Sequence, residues 1–309
     1  MQMHVAVIGA GAVGAAIVSM MLEAGVDVTV VADAERARRL RDEGLLVNGS
    51  RIEPRILSLE AGGPPSTYTL SIIATKSTGL QAALPLVARA AGEAGLVMSL
   101  LNGISSEDAI REALGPGAEK RVVPAMILGI DATREGNVVR YLNRGTIHFG
   151  ADAQSAPVHA EAISQVADLF EASGIPYAIS ENITRTLWWK FMINVGINQA
   201  SAILRAPYGL FQESDHARAL MSELMDEAVE LSKLEGTGLA EADIDAWLET
   251  LSGLDPTGKT SMVQDVEAGR PTELDLFAGT VLGRAKRHGL ATPVNRTVYH
   301  IIRGLEAQF

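Results

Sequence analysis

Lys190, Asn194 and Asn198 recur at every fourth position of an otherwise apolar run, Leu187-Trp188-Trp189-Lys190-Phe191-Met192-Ile193-Asn194-Val195-Gly196-Ile197-Asn198. Residues four apart share one helix face. A helix apolar nearly all round is usually buried, and a lysine or amide buried without partners is costly. A solvent-facing polar stripe is one reading, but such stripes normally carry charge pairs, and this one has a single lysine among amides. The sharper reading is a face lining a wet cleft between two domains. A lysine there suits carbonyl chemistry. When a hydride arrives at a carbonyl carbon, negative charge grows on the oxygen, and an ammonium group can stabilise that charge and then donate the proton. Partial burial moves the lysine pKa towards neutrality. Asparagines orient a carbonyl or carboxylate without adding charge.

A second constellation is Lys259-Thr260-Ser261-Met262-Val263-Gln264-Asp265 followed by Gly269-Arg270-Pro271-Thr272-Glu273-Leu274-Asp275. The first part reads as a helical turn and the second as a loop entering the next helix. Thr272 fits an N-cap, with Asp275 three positions on as the acid of a capping box. That leaves Glu273 unexplained. Ser261 offers a hydroxyl donor for a carboxylate.

The elements that must position these groups begin at the N-terminus. An apolar run, His4 to Ile8, meets Gly9-Ala10-Gly11-Ala12-Val13-Gly14, then an Ala-rich amphipathic run to Gly25 and a second apolar run, Val26 to Val31, closed by Asp33. That is strand, glycine turn, helix and strand. Gly9 permits the tight turn, Gly11 lets the backbone approach a pyrophosphate, and Gly14 lets the helix pack on the strand. A charged helix, Glu35 to Glu43, follows. Leu45 to Leu59 reads as small antiparallel strands inserted into the sheet, turning at Asn48-Gly49, and Gly62-Gly63-Pro64-Pro65 as a loop. Strands over Thr69–Ala74, Leu96–Leu101 and Arg121–Met126 alternate with helices ending near Ala91 and Gly115. Asn137 to Phe149 reads as a hairpin, Pro157 to Ala172 as a helix and Pro176 to Ile179 as a strand. This alternation predicts a parallel, doubly wound α/β sheet over residues 1–180. Gly9, Asp33, Lys76 and Asn102 all follow strand ends, where ligands of such sheets bind. From Glu181 the periodicity is helical throughout: Asn182–Ile203, Ala217–Leu234, Ala240–Leu251, Asp275–His288 and Pro293–Glu306. Residues 181–309 therefore read as an all-helical second domain.

The bulk numbers agree with two globular domains. Of 309 residues, 47% are hydrophobic and 20% charged, and the net charge is −11. Acids spread along the chain with no basic stripe argue against a nucleic-acid partner. There are no cysteines, which excludes disulfides, thiolate metal sites and cysteine nucleophiles and fits a reducing cytoplasm. The N-terminus lacks a signal-peptide pattern, and no apolar run has the ~20 residues of a membrane helix. Apolar helices such as Ala217–Leu234 could serve a homodimer or simply the core.

Together the glycine turn, Lys76, Asn102-Gly103, Lys190-x-x-x-Asn194-x-x-x-Asn198, Ser261-Met262-x-Gln264-Asp265 and Thr272-Glu273-x-Asp275 resemble the ketopantoate reductase (2-dehydropantoate 2-reductase) family over nearly the whole chain. The resemblance implies a Rossmann domain plus a helical domain and reduction of a small 2-keto acid to a D-type 2-hydroxy acid by a nicotinamide cofactor. It implies Lys190 as general acid, Asn194 and Asn198 as substrate ligands, and Ser261 on the substrate carboxylate. Glu273 would contact the cofactor or hold the lysine. Gly9, Ala10, Gly11, Ala12, Val13 and Gly14, with Lys76, Asn102 and Ala132, fall on the cofactor side.

Three departures stand out. Asp33 replaces a common arginine, and an acid there accepts from a free ribose diol and repels a 2′-phosphate, favouring NAD. Arg36, Arg38 and Arg39 lie close enough to keep NADP open. Tyr208, in the loop after the lysine helix, and Gly258 each replace a family asparagine that addresses the substrate. The resemblance implies a 2-dehydropantoate-like 2-keto acid, and the lost amides with the added aromatic face of Tyr208 keep a different 2-keto acid of the same family as the alternative substrate. The alternatives are a β-hydroxyacid dehydrogenase relative, against which the Ser261–Glu273 block argues, and a non-catalytic dinucleotide-sensing regulator, against which the intact lysine and asparagines argue.

Overall fold

The computed structural model describes residues 4–58, 68–151 and 156–309; the loop at residues 62–65 lies outside them. The chain divides into two compact units, Met1–Asn102 with Ser106–Thr184, and Gly103–Ser105 with Arg185–Phe309.

In the first unit the elements run β1 (Val5–Ile8), α1 (Ala12–Glu23), β2 (Val28–Ala32), α2 (Ala34–Glu43), β3 (Leu45–Val47), β4 (Ser50–Ile52), β5 (Arg55–Ser58), β6 (Leu70–Ile73), α3 (Leu80–Ala91), β7 (Leu96–Ser99), α4 (Ser106–Leu114), β8 (Val122–Val123), β9 (Ala125–Ile130), β10 (Thr133–Glu135), β11 (Val138–Arg140), β12 (Arg144–Gly150), α5 (Ala156–Ser173) and β13 (Tyr177–Ser180). Six strands form a parallel sheet in the order β5-β2-β1-β6-β7-β8. This is the doubly wound order of dinucleotide-binding folds. Its central strands are buried on both faces, which is why they read as continuous apolar runs rather than alternations. One apolar cluster joins α1 and α5 to one side of the sheet, and a second joins α3 and α4 to the sheet.

The sequence expectation for Leu45 to Leu59 needs correction. Only β3 and β4 pair antiparallel, and they belong to a separate four-stranded sheet, β10-β11-β3-β4. The half-buried Ile56 and Leu57 of β5 instead join the main sheet, parallel to β2. Asn48 and Gly49 both take positive φ at the β3–β4 turn, as a two-residue hairpin demands. The predicted Asn137–Phe149 hairpin is also redrawn. β10 pairs with β11 around Gly136, while β12 returns to lie antiparallel to β9. Pro124 divides the predicted Arg121–Met126 strand, because proline has no N–H to give a ladder.

The second unit is helical: α6 (Ile183–Ile193), a π-helical turn (Asn194–Asn198), α7 (Gln199–Leu204), α8 (Tyr208–Glu213), α9 (Asp215–Glu235), α10 (Glu241–Ser252), α11 (Ser261–Glu267), α12 (Ala278–His288) and α13 (Pro293–Glu306). The predicted continuous helix over Asn182–Ile203 is thus interrupted by a wide turn packed on α9. Gly196 makes that packing possible, since a Cβ there would lie 2.4 Å from Met225 Cε and 3.0 Å from the Met221 carbonyl.

The turn is held by a buried polar cluster. Gln199 Nε2 donates to the Val195 carbonyl at 2.7 Å and to Asn295 Oδ1 at 3.2 Å. Gln199 Oε1 accepts from the Ala278 N–H at 3.2 Å. Asn295 in turn donates to Glu227 at 2.8 Å and to the Leu224 carbonyl at 3.2 Å. The Ala278 bond explains why α12 starts there and not at Asp275, as its pattern predicts; Leu274–Leu276 forms a short 3₁₀ turn instead. Gln199→Ala leaves several of these buried groups unpaired. It should destabilise the fold by at least about 2 kcal/mol, read as a lower denaturant midpoint at unchanged slope. A midpoint equal to wild type would contradict this role.

Candidate functional site

In the first unit β2, β1, β6 and β7 are adjacent and parallel, so their carboxyl ends align. Asp33 directly follows β2 and Gly9 directly follows β1, while Lys76 and Asn102 each lie three residues beyond β6 and β7. Gly9 sits at φ 99°, and a Cβ there would stand 2.7 Å from the Thr75 nitrogen. A Cβ on Gly14 would stand 1.9 Å from the Gly9 carbonyl oxygen. Both positions are closed to any side chain. Gly11, by contrast, would meet only the Ala74 oxygen at 3.7 Å, and it N-caps α1 with no side-chain acceptor for the helix N–H groups. With no acid in the first turn, Ala12 and Val13 open a helix whose positive end is uncompensated by side chains. This cradle fits a pyrophosphate. Ala10 and Val13 share an apolar cluster with Ala132, which lies two residues beyond β9.

Asp33 is exposed and already has one structural task, since its Oδ1 accepts from the Arg36 N–H at 2.8 Å and caps α2. Sequence reading passed over Arg134, on β10. Its Nη1 donates to the Ala10 carbonyl inside the glycine turn, and its Nε donates to the Gly136 carbonyl at 2.8 Å. The pairing of β10 with β11, which itself pairs with β3, carries residue 134 to that turn, and no local motif announces it.

In the second unit Lys190 lies in the last turn of α6 and is half-buried. Burial pushes its pKa down to about 8, with the Glu273 carboxylate pulling the other way. Asn194 is half-buried and Asn198 buried, and both belong to the π turn. On a regular helix a four-residue spacing drifts by about 40° per step. The wider π turn takes part of that drift back, so the local widening helps keep Asn198 with Lys190 and Asn194.

Hydroxyl contacts tie this turn to α11. Ser201 Oγ donates to the Asn198 carbonyl at 3.1 Å and bonds Thr260 Oγ1 at 2.8 Å. Thr260 caps α11, so Ser261 is its first residue, with an exposed side chain. Tyr208, expected in a loop, is instead the first residue of α8. Its N–H donates to the Gly258 carbonyl at 2.9 Å. A Cβ at position 258 would stand 2.9 Å from Tyr208 Cδ2. Tyr208 and Gly258 are therefore in contact, the ring occupying the space next to the glycine. Burial raises the Tyr208 pKa.

The Thr272–Asp275 capping box is not formed. Thr272 does accept from the Leu274 N–H at 3.3 Å, but its own N–H and hydroxyl donate to Glu306 at 2.8 and 2.7 Å. Asp275 faces Arg303 at 2.5 Å. A carboxylate on α13 outcompetes the local one because it accepts two bonds at once. Glu273 is left half-buried with its charge acting on Lys190. Among the described residues no acidic or histidine cluster could hold a metal, and no helix is long and apolar enough to cross a membrane.

Comparison with known proteins places two family models on the chain. "Ketopantoate reductase PanE/ApbA" matches residues 5–154 and "Ketopantoate reductase PanE/ApbA C terminal" matches residues 182–306. A 2-dehydropantoate 2-reductase of Pyrococcus abyssi is 27% identical over 307 residues, covering 99% of this chain and 98% of that protein. A PanE/ApbA family ketopantoate reductase structure from Ralstonia eutropha JMP134 superposes with TM-score 0.81 at 26% identity, covering 99% of both chains. A D-mandelate dehydrogenase structure with NADH and anilino(oxo)acetate superposes with TM-score 0.84 at 23% identity, again over 99% of both chains.

Proposed function

The chain belongs to the ketopantoate reductase family, and from that premise we propose that it reduces a 2-keto acid to a D-type 2-hydroxy acid with a nicotinamide cofactor, Lys190 giving the proton. The observation that carries this reading is the half-buried Lys190 at the end of α6, next to the π turn that bears Asn194 and Asn198 and within the field of Glu273; burial there lowers its pKa to about 8. The glycine turn and the start of α1 would hold the pyrophosphate, with Lys76, Asn102 and Ala132 along the rest of the dinucleotide. A reduced nicotinamide supplies the hydride. As the carbon–oxygen π pair moves onto oxygen, the Lys190 ammonium stabilises the charge and transfers its proton there, leaving a neutral amine that regains a proton from solvent. Asn194 and Asn198 orient the keto acid, and Ser261 donates to its carboxylate.

Asp33 favours NAD through the ribose diol, while the exposed Arg36 and Arg39 keep NADP within reach. A second reading concerns the substrate. The Tyr208 ring packed at Gly258 offers an apolar face, which suits a 2-keto acid with an apolar or aromatic side chain better than a hydroxylated one. The test is a matrix of NADH and NADPH against ketopantoate, phenylglyoxylate and unbranched 2-keto acids, followed by loss of nicotinamide absorbance. Turnover with at least one pair supports the reading. Tight cofactor binding without any turnover favours a dinucleotide sensor.

Glu273→Gln removes the charge that favours protonated Lys190. The amine pKa should then fall below 8, and the pH above which reduction slows should fall with it. A kcat/KM profile whose alkaline limb stays where wild type has it would dismiss Glu273 from that task.

A further inference from the structure

Arg134 is half-buried, and it makes no ion pair with a carboxylate among the described residues. It leans over the glycine turn, giving one N–H to the Ala10 carbonyl and another to Gly136. The hairpin that carries it is pinned to the end of α2, where Asn137 Nδ2 donates to the Glu43 carbonyl at 3.1 Å. Burial and the positive fields of Arg36 and Arg39 push its pKa down, with only Glu43 opposing. A guanidinium stays charged regardless, so a partly desolvated cation stands among like charges with donors to spare. Such a group is stabilised by an anion, and planar donors of this kind match phosphate oxygens. The uncapped start of α1 lies in the same turn.

We propose that Arg134 is a phosphate-binding residue, giving its remaining N–H groups to a phosphate of the bound dinucleotide. This rests on the dinucleotide-binding reading above. Two phosphates could take the contact, the pyrophosphate shared by NAD and NADP or the 2′-phosphate of NADP alone.

Fluorescence titration of wild type, Arg134→Gln and Arg134→Lys with NADH and NADPH, each at low and high salt, decides the matter. For Arg134→Gln we expect affinity about tenfold or more weaker, the effect of losing a charged hydrogen bond, together with a flatter salt dependence. Arg134→Lys should recover part of both. Equal losses for the two cofactors assign the pyrophosphate, and a loss confined to NADPH assigns the 2′-phosphate. Unchanged affinity in Arg134→Gln overturns the proposal. So does weaker binding with wild-type salt dependence and no recovery in Arg134→Lys, since that is what a mere prop for the Ala10 carbonyl would give. Should Arg134→Gln fold poorly, Arg134→Met is read in its place: weaker binding with a flatter salt dependence supports the proposal, and unchanged affinity overturns it. Wild type that takes up neither dinucleotide defeats the underlying reading as well.

Discussion

Lys190→Ala should lower kcat for keto-acid reduction by roughly 10²–10⁴-fold, the usual worth of a positioned proton donor. The dissociation constant for the dinucleotide should stay close to wild type, because the assigned contact is with the substrate oxygen. Lys190→Arg should rescue little. A guanidinium is charged but cannot release its proton near neutral pH, so it can stabilise the oxyanion without completing the transfer. Steady-state rates with a titration of cofactor binding separate the two effects. A Lys190→Ala enzyme with wild-type turnover would remove the amine from the chemistry. One with weakened cofactor binding and unchanged kcat would move it to the nucleotide.

The second large effect is expected at Tyr208 and Gly258. An asparagine at 258 alone collides with the ring, since its Cβ would already stand 2.9 Å from Tyr208 Cδ2. The single change should therefore raise KM for every substrate. Changing both residues to asparagine relieves the clash and replaces an apolar face with two amides. The ratio of kcat/KM for an aromatic 2-keto acid to that for a hydroxylated aliphatic one should fall by about tenfold or more, since pocket groups that pair with a hydroxyl discriminate strongly against its absence. The two positions should be non-additive, as contacting residues are. Additive changes with no shift in that ratio would show that the pair does not read the substrate.

What could be read from the sequence was whatever is written locally. The central strands were legible because burial on both faces makes them apolar throughout, and Gly9 and Gly14 because only glycine fits positions so close to Thr75 and Gly9 itself. Pro293 opens α13 as its helix-start signal says. The misreadings have distant causes. β3 and β4 look like part of the main sheet until β11, some ninety residues on, pairs with β3. The Thr272–Asp275 box obeys every local rule and loses to Glu306, 34 positions away. The π turn has no signature of its own beyond Gly196. Its supports, Gln199, Asn295 and Glu227, lie on three different helices, so no window of sequence contains them. Arg134 was missed for the same reason, being 124 residues from the carbonyl it bonds.

The most direct test of Lys190 as the proton donor is the pH dependence of kcat/KM for reduction in the wild-type enzyme. The amine must be protonated to act, and burial sets its pKa at about 8. The rate constant should therefore be level below that pH and fall above it, while oxidation of the hydroxy acid, which needs the neutral amine, should rise across the same range. A reduction rate that stays level to pH 10, or climbs through that range, would contradict the account.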